Sequence, residues 1–316
     1  MDNIDKKIIQ LTKEKTISGE TLSSFFGISR TAIWKRIKKL EKLGYKFSHL
    51  KEGYKLILTS PYLLETEIKP FIKTRLIGKE YIFFEEIDST NIYAKENNLN
   101  EGTVIVAETQ TKGKGRKGRK WISTKGKGLY FSTVLKPEIN INQLLRFSLI
   151  FPYSVYETIK QENLTPKIKW PNDIYLSNRK VSGILMETDI EGSEIKKLVV
   201  GIGINVNHNI EDLNEIKDIA TSLFLEKGQN IDRKRFFIRL LQNIEKNYFQ
   251  FLENKLNPIE KVEENLLWKD EEVKILDGNK EIKGILKGLD NQGGIILQIG
   301  NNLESFYSGD LSLRKT

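Results

Sequence analysis

The sequence predicts an α+β chain of several domains: a small helical unit with a hairpin at the N-terminus, a central mixed β-sheet covered by helices, and a run of short strands at the C-terminus. Three observations predict it. The 316 residues exceed one ordinary domain. Positive charge is gathered at one end, with 13 Lys+Arg against 6 Asp+Glu in residues 1–60, or +7 of a total of +9. The apolar periodicity also changes along the chain: helical up to Leu43, strands interleaved with helices to about Leu267, and short strands from Trp268 onward.

With 39% hydrophobic and 29% charged residues the chain reads as water-soluble and globular. No apolar run reaches the roughly eighteen residues needed to cross a bilayer, so no membrane association is expected. MDNIDKKIIQLTKEK lacks the apolar centre of a secretion signal, which makes the cytoplasm the expected compartment. Zero cysteines remove disulfides, thiolate zinc sites and cysteine nucleophiles together.

In residues 1–62, Ile4, Ile8 and Leu11 recur at helical spacing until Ser18-Gly19 breaks the pattern. A second helix runs from Glu20 to Phe26 and stops at Gly27. Ser29 caps a third that ends near Leu43, before Gly44. Ile33, Ile37 and Leu40 form the apolar stripe of that helix. Arg30, Thr31, Trp34, Lys35 and Lys38 fall on the other side, a basic face suited to the major groove of DNA. YKFSHL and YKLIL flank Lys51-Glu52-Gly53 as a hairpin. Three helices and a basic hairpin resemble a winged helix-turn-helix; a protein-binding module with a solvated basic face is the other reading. Ser60-Pro61 serves as linker.

Over residues 63–267, YIFFEEI, TVIVAE, LYFSTVL and KLVVGIGINV read as strands, and LLRFSLIFPYSVYETIKQ and FFIRLLQNIEKNYFQFL as long helices. They interleave without a regular βαβ count, which favours a mixed sheet over a Rossmann fold. Common catalytic motifs fail. Gly113 to Gly118 gives G-x-x-x-x-G, but Arg119-Lys120 follow where a phosphate loop has Lys and then Ser or Thr. Gly201-x-Gly203 lacks the third glycine of a dinucleotide fingerprint. No G-x-S-x-G occurs, and His49 and His208 lie far apart in the chain and are expected at the surface, so a serine triad is not expected.

What remains is TKGKGRKGRKW, residues 111–121, with six basic residues and three glycines between Lys112 and Lys120. Such a loop should be mobile when empty and order around an anion. Nucleic acid and a nucleotide triphosphate suit it equally, and a solvated charge run stays open. Three further segments tilt the choice. Asp88-Ser89-Thr90-Asn91 follows a strand, where short polar side chains either enter a pocket or cap a helix. Lys169-Trp170-Pro171-Asn172-Asp173 is a turn offering an amide and a carboxylate. Lys180-Val181-Ser182-Gly183 places a lysine at the mouth of an apolar strand, where it can meet a carboxylate.

At this spacing KWPND, K-x-x-G-I-L and the glycine-rich basic loop resemble the biotin–protein ligases, in particular the bifunctional type that also represses the biotin operon. The resemblance covers nearly the whole chain, from the winged helix through Gln110 and the loop to Trp121, KWPNDIYL, RKVSGILME, GIGINVN and the terminal GDLSLR. It implies a class II synthetase-like central domain over 63–267 and an SH3-like barrel over 268–316, built from EVKIL, KEIKGILKGL, GIILQIG and LESFYSG with turns at Asp277-Gly278 and Gly293-Gly294. It implies two reactions in one site: formation of biotinyl-5′-AMP from biotin and MgATP, then transfer of biotin to a lysine of the biotin carboxyl carrier protein of acetyl-CoA carboxylase.

By resemblance, Ser89, Thr90, Asn91 and Gln110 hold the biotin head group, whose ureido ring suits neutral donors and acceptors. Gly113, Lys114, Gly115 and Arg116 wrap the biotin tail, and Lys180, beside Gly183, holds the carboxylate and phosphoryl oxygens. Catalysis falls to Lys180 and Arg116. Arg119, Trp121, Asn172, Asp173 and Asn205 face the adenylate or ATP, with Asp173 near Mg²⁺. Lys114 and Lys117 stand where such ligases frequently have arginine, so directional contacts are expected from Arg116 and Arg119. Operator DNA of the biotin synthesis genes is the implied partner of the N-terminal helix, and a homodimer promoted by biotinyl-5′-AMP the implied switch. A lipoate–protein ligase and a DNA-binding sensor without ligase activity are the competing readings.

Overall fold

A computed structural model describes every residue except 193, 278, 279, 308–310 and 316. The turn expected at Asp277-Gly278 and the Gly309-Asp310 start of the terminal motif therefore lie outside the described residues, as does the side chain of Lys117. Two compact units, Met1–Phe71 and Ile72–Thr316, make up the chain.

The first unit follows its local signals. Helices α1 (Asn3–Glu14), α2 (Gly19–Phe26) and α3 (Arg30–Lys42) are each capped by a side-chain oxygen, from Asp2, Ser18 and Ser29, on an otherwise unpaired N–H. Gly27 ends α2 in the left-handed region at φ 64, a conformation that glycine adopts without strain. Strands β1 (Lys46–Leu50) and β2 (Gly53–Leu58) form the expected hairpin, and a short helix α4 (Glu65–Ile68) follows. Ile8, Ile9, Leu22, Ile33, Ile37 and Leu40 make the core, whereas Ile4 and Leu11 are only half-buried. The buried face of α1 is completed instead by Thr12 and Asp5, whose carboxylate meets Arg36 at 2.7 Å and Lys39 at 2.8 Å.

In the second unit β3 (Tyr81–Ile87), α5 (Thr90–Glu96), β4 (Val104–Gln110) and β5 (Leu129–Leu135) come first, then α6 (Leu144–Ser148) and α7 (Ile150–Lys160). After them come β6 (Lys167–Lys169), β7 (Asp173–Leu176), β8 (Arg179–Glu191) and β9 (Glu194–Ile204), followed by α8 (Leu223–Lys227), α9 (Arg233–Leu252) and α10 (Pro258–Glu263). Seven strands pair in the order β3-β4-β5-β9-β8-β7-β6, with β3 and β4 parallel and the rest antiparallel, so the sheet is mixed as predicted. Helix α5 packs on one face through Ala94 against Ile105, Val134 and Val199. Helix α9 covers the other, with Phe237 edge-on to Phe131 at 4.9 Å.

The single long helix expected over residues 144–161 is two. Leu149 separates α6 from α7, and Pro152 sits in the first turn of α7. There its missing N–H has no helical acceptor to lose; deep inside one continuous helix its ring would strike the carbonyl four residues back.

The remaining strands, β10 (Glu272–Asp277), β11 (Lys280–Leu289), β12 (Ile295–Ile299), β13 (Asn302–Phe306) and β14 (Leu311–Lys315), form an antiparallel sheet in the order β13-β12-β11-β10-β14. Val273, Ile275, Leu286, Leu289, Ile295 and Leu297 are its buried apolar side chains among the described residues.

A buried ion pair ties the central sheet to α9. Arg233, 5% exposed, donates through Nη2 to the fully buried Glu108 at 2.9 Å and through Nε to Gly128 O at 3.0 Å. Removing one partner of such a pair leaves an uncompensated charge in a dry site. Arg233→Met should therefore lower stability by about 3–5 kcal/mol. Urea unfolding of the variant beside the parent protein measures it.

Candidate active site

A cavity of about 250 Å³ opens on the sheet face that carries α5. Its floor is β8 and β9. Gly183 stands opposite Gly203 across that pair, and Gly201 lies two residues before Gly203, so the three glycines share one face. A Cβ at Gly203 would stand 2.4 Å from Trp121 Cε2, and one at Gly201 would stand 2.1 Å from Asn91 Oδ1. Only bare backbone admits those side chains.

Ser89, Thr90, Asn91, Gln110, Lys114, Gly115, Arg116, Arg119, Trp121, Asn172, Asp173, Lys180, Gly183 and Asn205 all line the cavity. Gly113 stands behind it, where a Cβ would meet Trp121 O at 2.8 Å. Ser89 serves both uses weighed for it: it lines the cavity and caps α5. The sequence reading missed Lys169, Trp170, Gly201 and Gly203, along with an apolar wall of Leu213, Ile216 and Ile219. Two glycines at i and i+2 in an apolar strand were a usable signal for close approach, but not for what approaches. Lys169 and Trp170 stood in the KWPND motif without a role assigned to either. Lys169 is 5% exposed, with Nζ 5.0 Å from the Tyr175 ring and 5.1 Å from that of Trp268.

The polar lining falls into two clusters. In the neutral one, Thr90 donates from N and Oγ1 to Gln110 Oε1 at 2.8 and 3.1 Å, which turns the Gln110 amide nitrogen away from that bond. Asn91 is occupied at both ends: Oδ1 accepts from Ser132 Oγ at 2.6 Å and Nδ2 donates to Glu187 at 2.9 Å. Burial pushes the Glu187 carboxyl up, yet the bonds from Lys95 and Asn91 outweigh it and hold the group below its usual value.

The cationic cluster is organised by the basic loop, which folds as a miniature hairpin. Trp121 N donates to Gly113 O at 2.9 Å, Gly115 N donates to Arg119 O at 2.6 Å, and Lys114 pairs with Lys120. Its tip is a single 3₁₀ turn, Arg116–Gly118, closed by Gly118 at φ 69. Arg116 Nη1 donates to Asn172 Oδ1 at 3.3 Å. Lys180 Nζ meets Asp173 Oδ1 at 2.7 Å and lies 5.6 Å from the centre of the Trp121 ring. The indole N–H of Trp121 is buried without a protein acceptor among the described residues. Asn205 is turned to the backbone, donating to Thr221 O at 3.0 Å.

His208, expected at the surface, is fully buried. Its Nε2 shares a 2.9 Å hydrogen bond with Tyr130 Oη, which also accepts from Thr124 N at 2.9 Å at the base of the loop. His49 is exposed beside Glu41, at 2.6 Å. In the first unit Arg30, Thr31, Trp34 and Lys35 are exposed on α3. Lys38 is half-buried and paired with Glu41 at 2.8 Å.

Residues 83–205 match the biotin/lipoate A/B protein ligase family, residues 4–55 an HTH domain, and residues 270–314 the biotin protein ligase C-terminal domain. The bifunctional ligase/repressor BirA of Bacillus subtilis is 35% identical, the alignment covering 98% of each chain. That of Escherichia coli is 31% identical over 98% of this chain and 96% of its own. Among solved structures, the biotin protein ligase from Aquifex aeolicus in complex with biotin and ATP is 41% identical, with a TM-score of 0.68 over 75% of this chain and 100% of that one. The chain belongs to the biotin–protein ligase family, in its bifunctional ligase/repressor branch.

Burial pushes the His208 imidazole down to about 4 from 6.5. The unfolded chain takes up that proton near the ordinary value, the folded chain only near the lowered one, so stability falls as pH drops through the interval. Between about pH 7 and about pH 4 the loss should be ~3 kcal/mol from this group. His208→Gln should lack that part of the decline, as urea unfolding at both pH values would read.

Proposed function

We propose that this chain is an ATP-dependent biotin–protein ligase and a biotinyl-5′-AMP-responsive repressor of biotin synthesis genes. We assign residues 1–62 to DNA, 63–267 to biotin and ATP, and 268–316 to a C-terminal domain. One observation carries the reading: a single cavity joins an uncharged cluster, Ser89, Thr90 and Gln110, to a cationic one, Lys114, Arg116, Arg119 and Lys180. Biotin has the matching halves, a ureido ring with no charge to pair and a carboxylate.

In the first reaction a biotin carboxylate oxygen attacks the α-phosphorus of ATP, and pyrophosphate leaves with the electron pair of the broken P–O bond. Two anions must approach, so fixed positive charge has to stand where negative charge gathers. Lys180 exchanges Asp173 for the carboxylate and phosphoryl oxygens, and Arg116 adds a directional fork. Arg119, Trp121 and Asn205 face the adenylate, with Asn172 and Asp173 on the triphosphate side. In the second reaction a lysine amine of biotin carboxyl carrier protein attacks the anhydride carbonyl; AMP departs with the electron pair and the new amide nitrogen loses its proton. The loop over residues 112–120 keeps water from the anhydride.

Among the described residues no three His, Asp or Glu side chains gather into a metal cage. Asp173 alone fits a Mg²⁺ that arrives on the triphosphate and keeps most of its waters, where it would neutralise phosphate charge.

For repression, Arg30, Thr31, Trp34, Lys35 and Lys38 contact DNA, and a ligand-promoted homodimer places two α3 helices on half-sites related by two-fold symmetry.

Lys180→Ala should fold normally yet lower biotin-dependent pyrophosphate exchange into ATP by about 10²–10³. Running the exchange with biotin, with lipoate and with neither identifies the carboxylate, and exchange driven by lipoate alone would displace the biotin reading. On operator DNA, Lys35→Ala should flatten the dependence of log affinity on log salt by about 0.9, because one phosphate is left without its cation. An unchanged slope in a gel-shift series would remove Lys35 from the interface.

A further inference from the structure

The C-terminal sheet reaches the cavity from behind through one tight turn. Between β11 and β12, Asp290 Oδ1 accepts from Gln292 N and Gly294 N, each at 2.9 Å, and Gly293 N donates to Asp290 O at 2.9 Å. Gly293 holds φ +88, and a Cβ there would lie 3.3 Å from Leu149 Cδ1 and 3.4 Å from the Arg146 backbone, so the turn is pressed onto α6. The carbonyl of Gly293 accepts the indole N–H of Trp170 at 2.9 Å. Trp170 is 2% exposed. An indole N–H only donates, and when buried it needs an acceptor.

The residues just before Trp170 are held from the same side. Ile168 N donates to Asn265 O at 2.9 Å and Leu267 N to Ile168 O at 2.8 Å, while Trp268 stands against Lys169. The residues just after it do the work in the cavity. Asn172 accepts from Arg116 and Asp173 pairs with Lys180. The neutral cluster hangs elsewhere, on the start of α5, the end of β4 and Ser132 of β5. Among the described residues it shares no hydrogen bond with the 290–294 turn.

We propose that Trp170 is a positioning residue through which the C-terminal turn sets Asn172 and Asp173, and with them the phosphate side of the site and the seat of Arg116. The inference rests on the biotin and ATP reading of the cavity. It makes the two substrates unequal. Loosening the Trp170–Gly293 bond disturbs ATP and the closed loop and spares the biotin head group.

Trp170→Phe keeps an aromatic ring and removes the donor. In the full chain it should raise the KM for ATP about ten-fold or more, since misplacement of binding groups is felt strongly at the reacting centre, while the KM for biotin, whose head group is held elsewhere and whose tail alone meets Arg116 and Lys180, rises clearly less. Asp290→Ala, whose side chain does not line the cavity, should shift ATP in the same direction by loosening the turn. With both substrates present, trypsin should cut the 112–120 loop faster in either variant than in the parent protein. An unchanged KM for ATP overturns the proposal. So does an equal rise in both KM values, or a loss of melting temperature with the KM values intact, because each marks a merely structural contact. A parent protein that exchanges no pyrophosphate with biotin fails the functional reading instead, and is told apart by that control.

Discussion

The cavity depends on three missing methyl groups. Gly183, Gly201 and Gly203 clear a patch in the middle of an otherwise apolar sheet. Onto that patch come Lys180, Asn91 and Trp121, each nearer to a virtual Cβ than a real one would tolerate. Glycine weakens a strand, having no side chain to pack and more backbone freedom to lose. Buried neighbours on the same two strands, Ile184, Val199, Val200, Ile202 and Ile204, offset that weakness. The floor of the site is thus rigid because of what flanks it and open because of what it lacks.

Above this floor the basic loop joins a stem held by the sheet to a tip that folds back on itself. The stem is held at Thr124 by Tyr130, at Gly126 by Glu108 and at Gly128 by Arg233. The tip has the ladder within its own small hairpin and the bond from Arg116 to Asn172. Like charges crowded there repel, and an anion would relieve the repulsion. The buried Glu108–Arg233 and Tyr130–His208 pairs accordingly matter to the site although none of the four touches a reacting group.

Charge in the first unit shows how far a net count can mislead about a face. Of the six cations on α3, Arg36 and Lys39 are turned to Asp5 and Lys38 to Glu41. The surplus that marks this segment as a partner for a polyanion is real, but half of the helix's positive charge is engaged inside the unit. Arg30, Lys35 and Lys42 are the other three, all exposed, with Arg30 and Lys35 beside the exposed ring of Trp34.

Local chemistry made much of this legible. Ser29 and Gly27 fixed helix ends because a cap oxygen and a left-handed turn act within a few residues. Apolar runs located the longer strands of the sheets but not the short β6, β7 and β14, and the spacing of KWPND and Lys180 named most of the cavity residues, since a motif preserves chemistry even where its geometry is unseen. The sequence by itself therefore determined the longer elements and their order, the mixed character of the sheet and the residue types at the site. Only the tertiary structure decided that helix 144–161 breaks at Leu149, that His208 is buried against Tyr130, that Lys169 lies beside two rings, and that a C-terminal glycine carbonyl receives the indole of Trp170. Those facts join residues up to 123 positions apart. Their physical cause is the packing of one element on another, which leaves no period, cap or turn signal in the chain for a local reading to find.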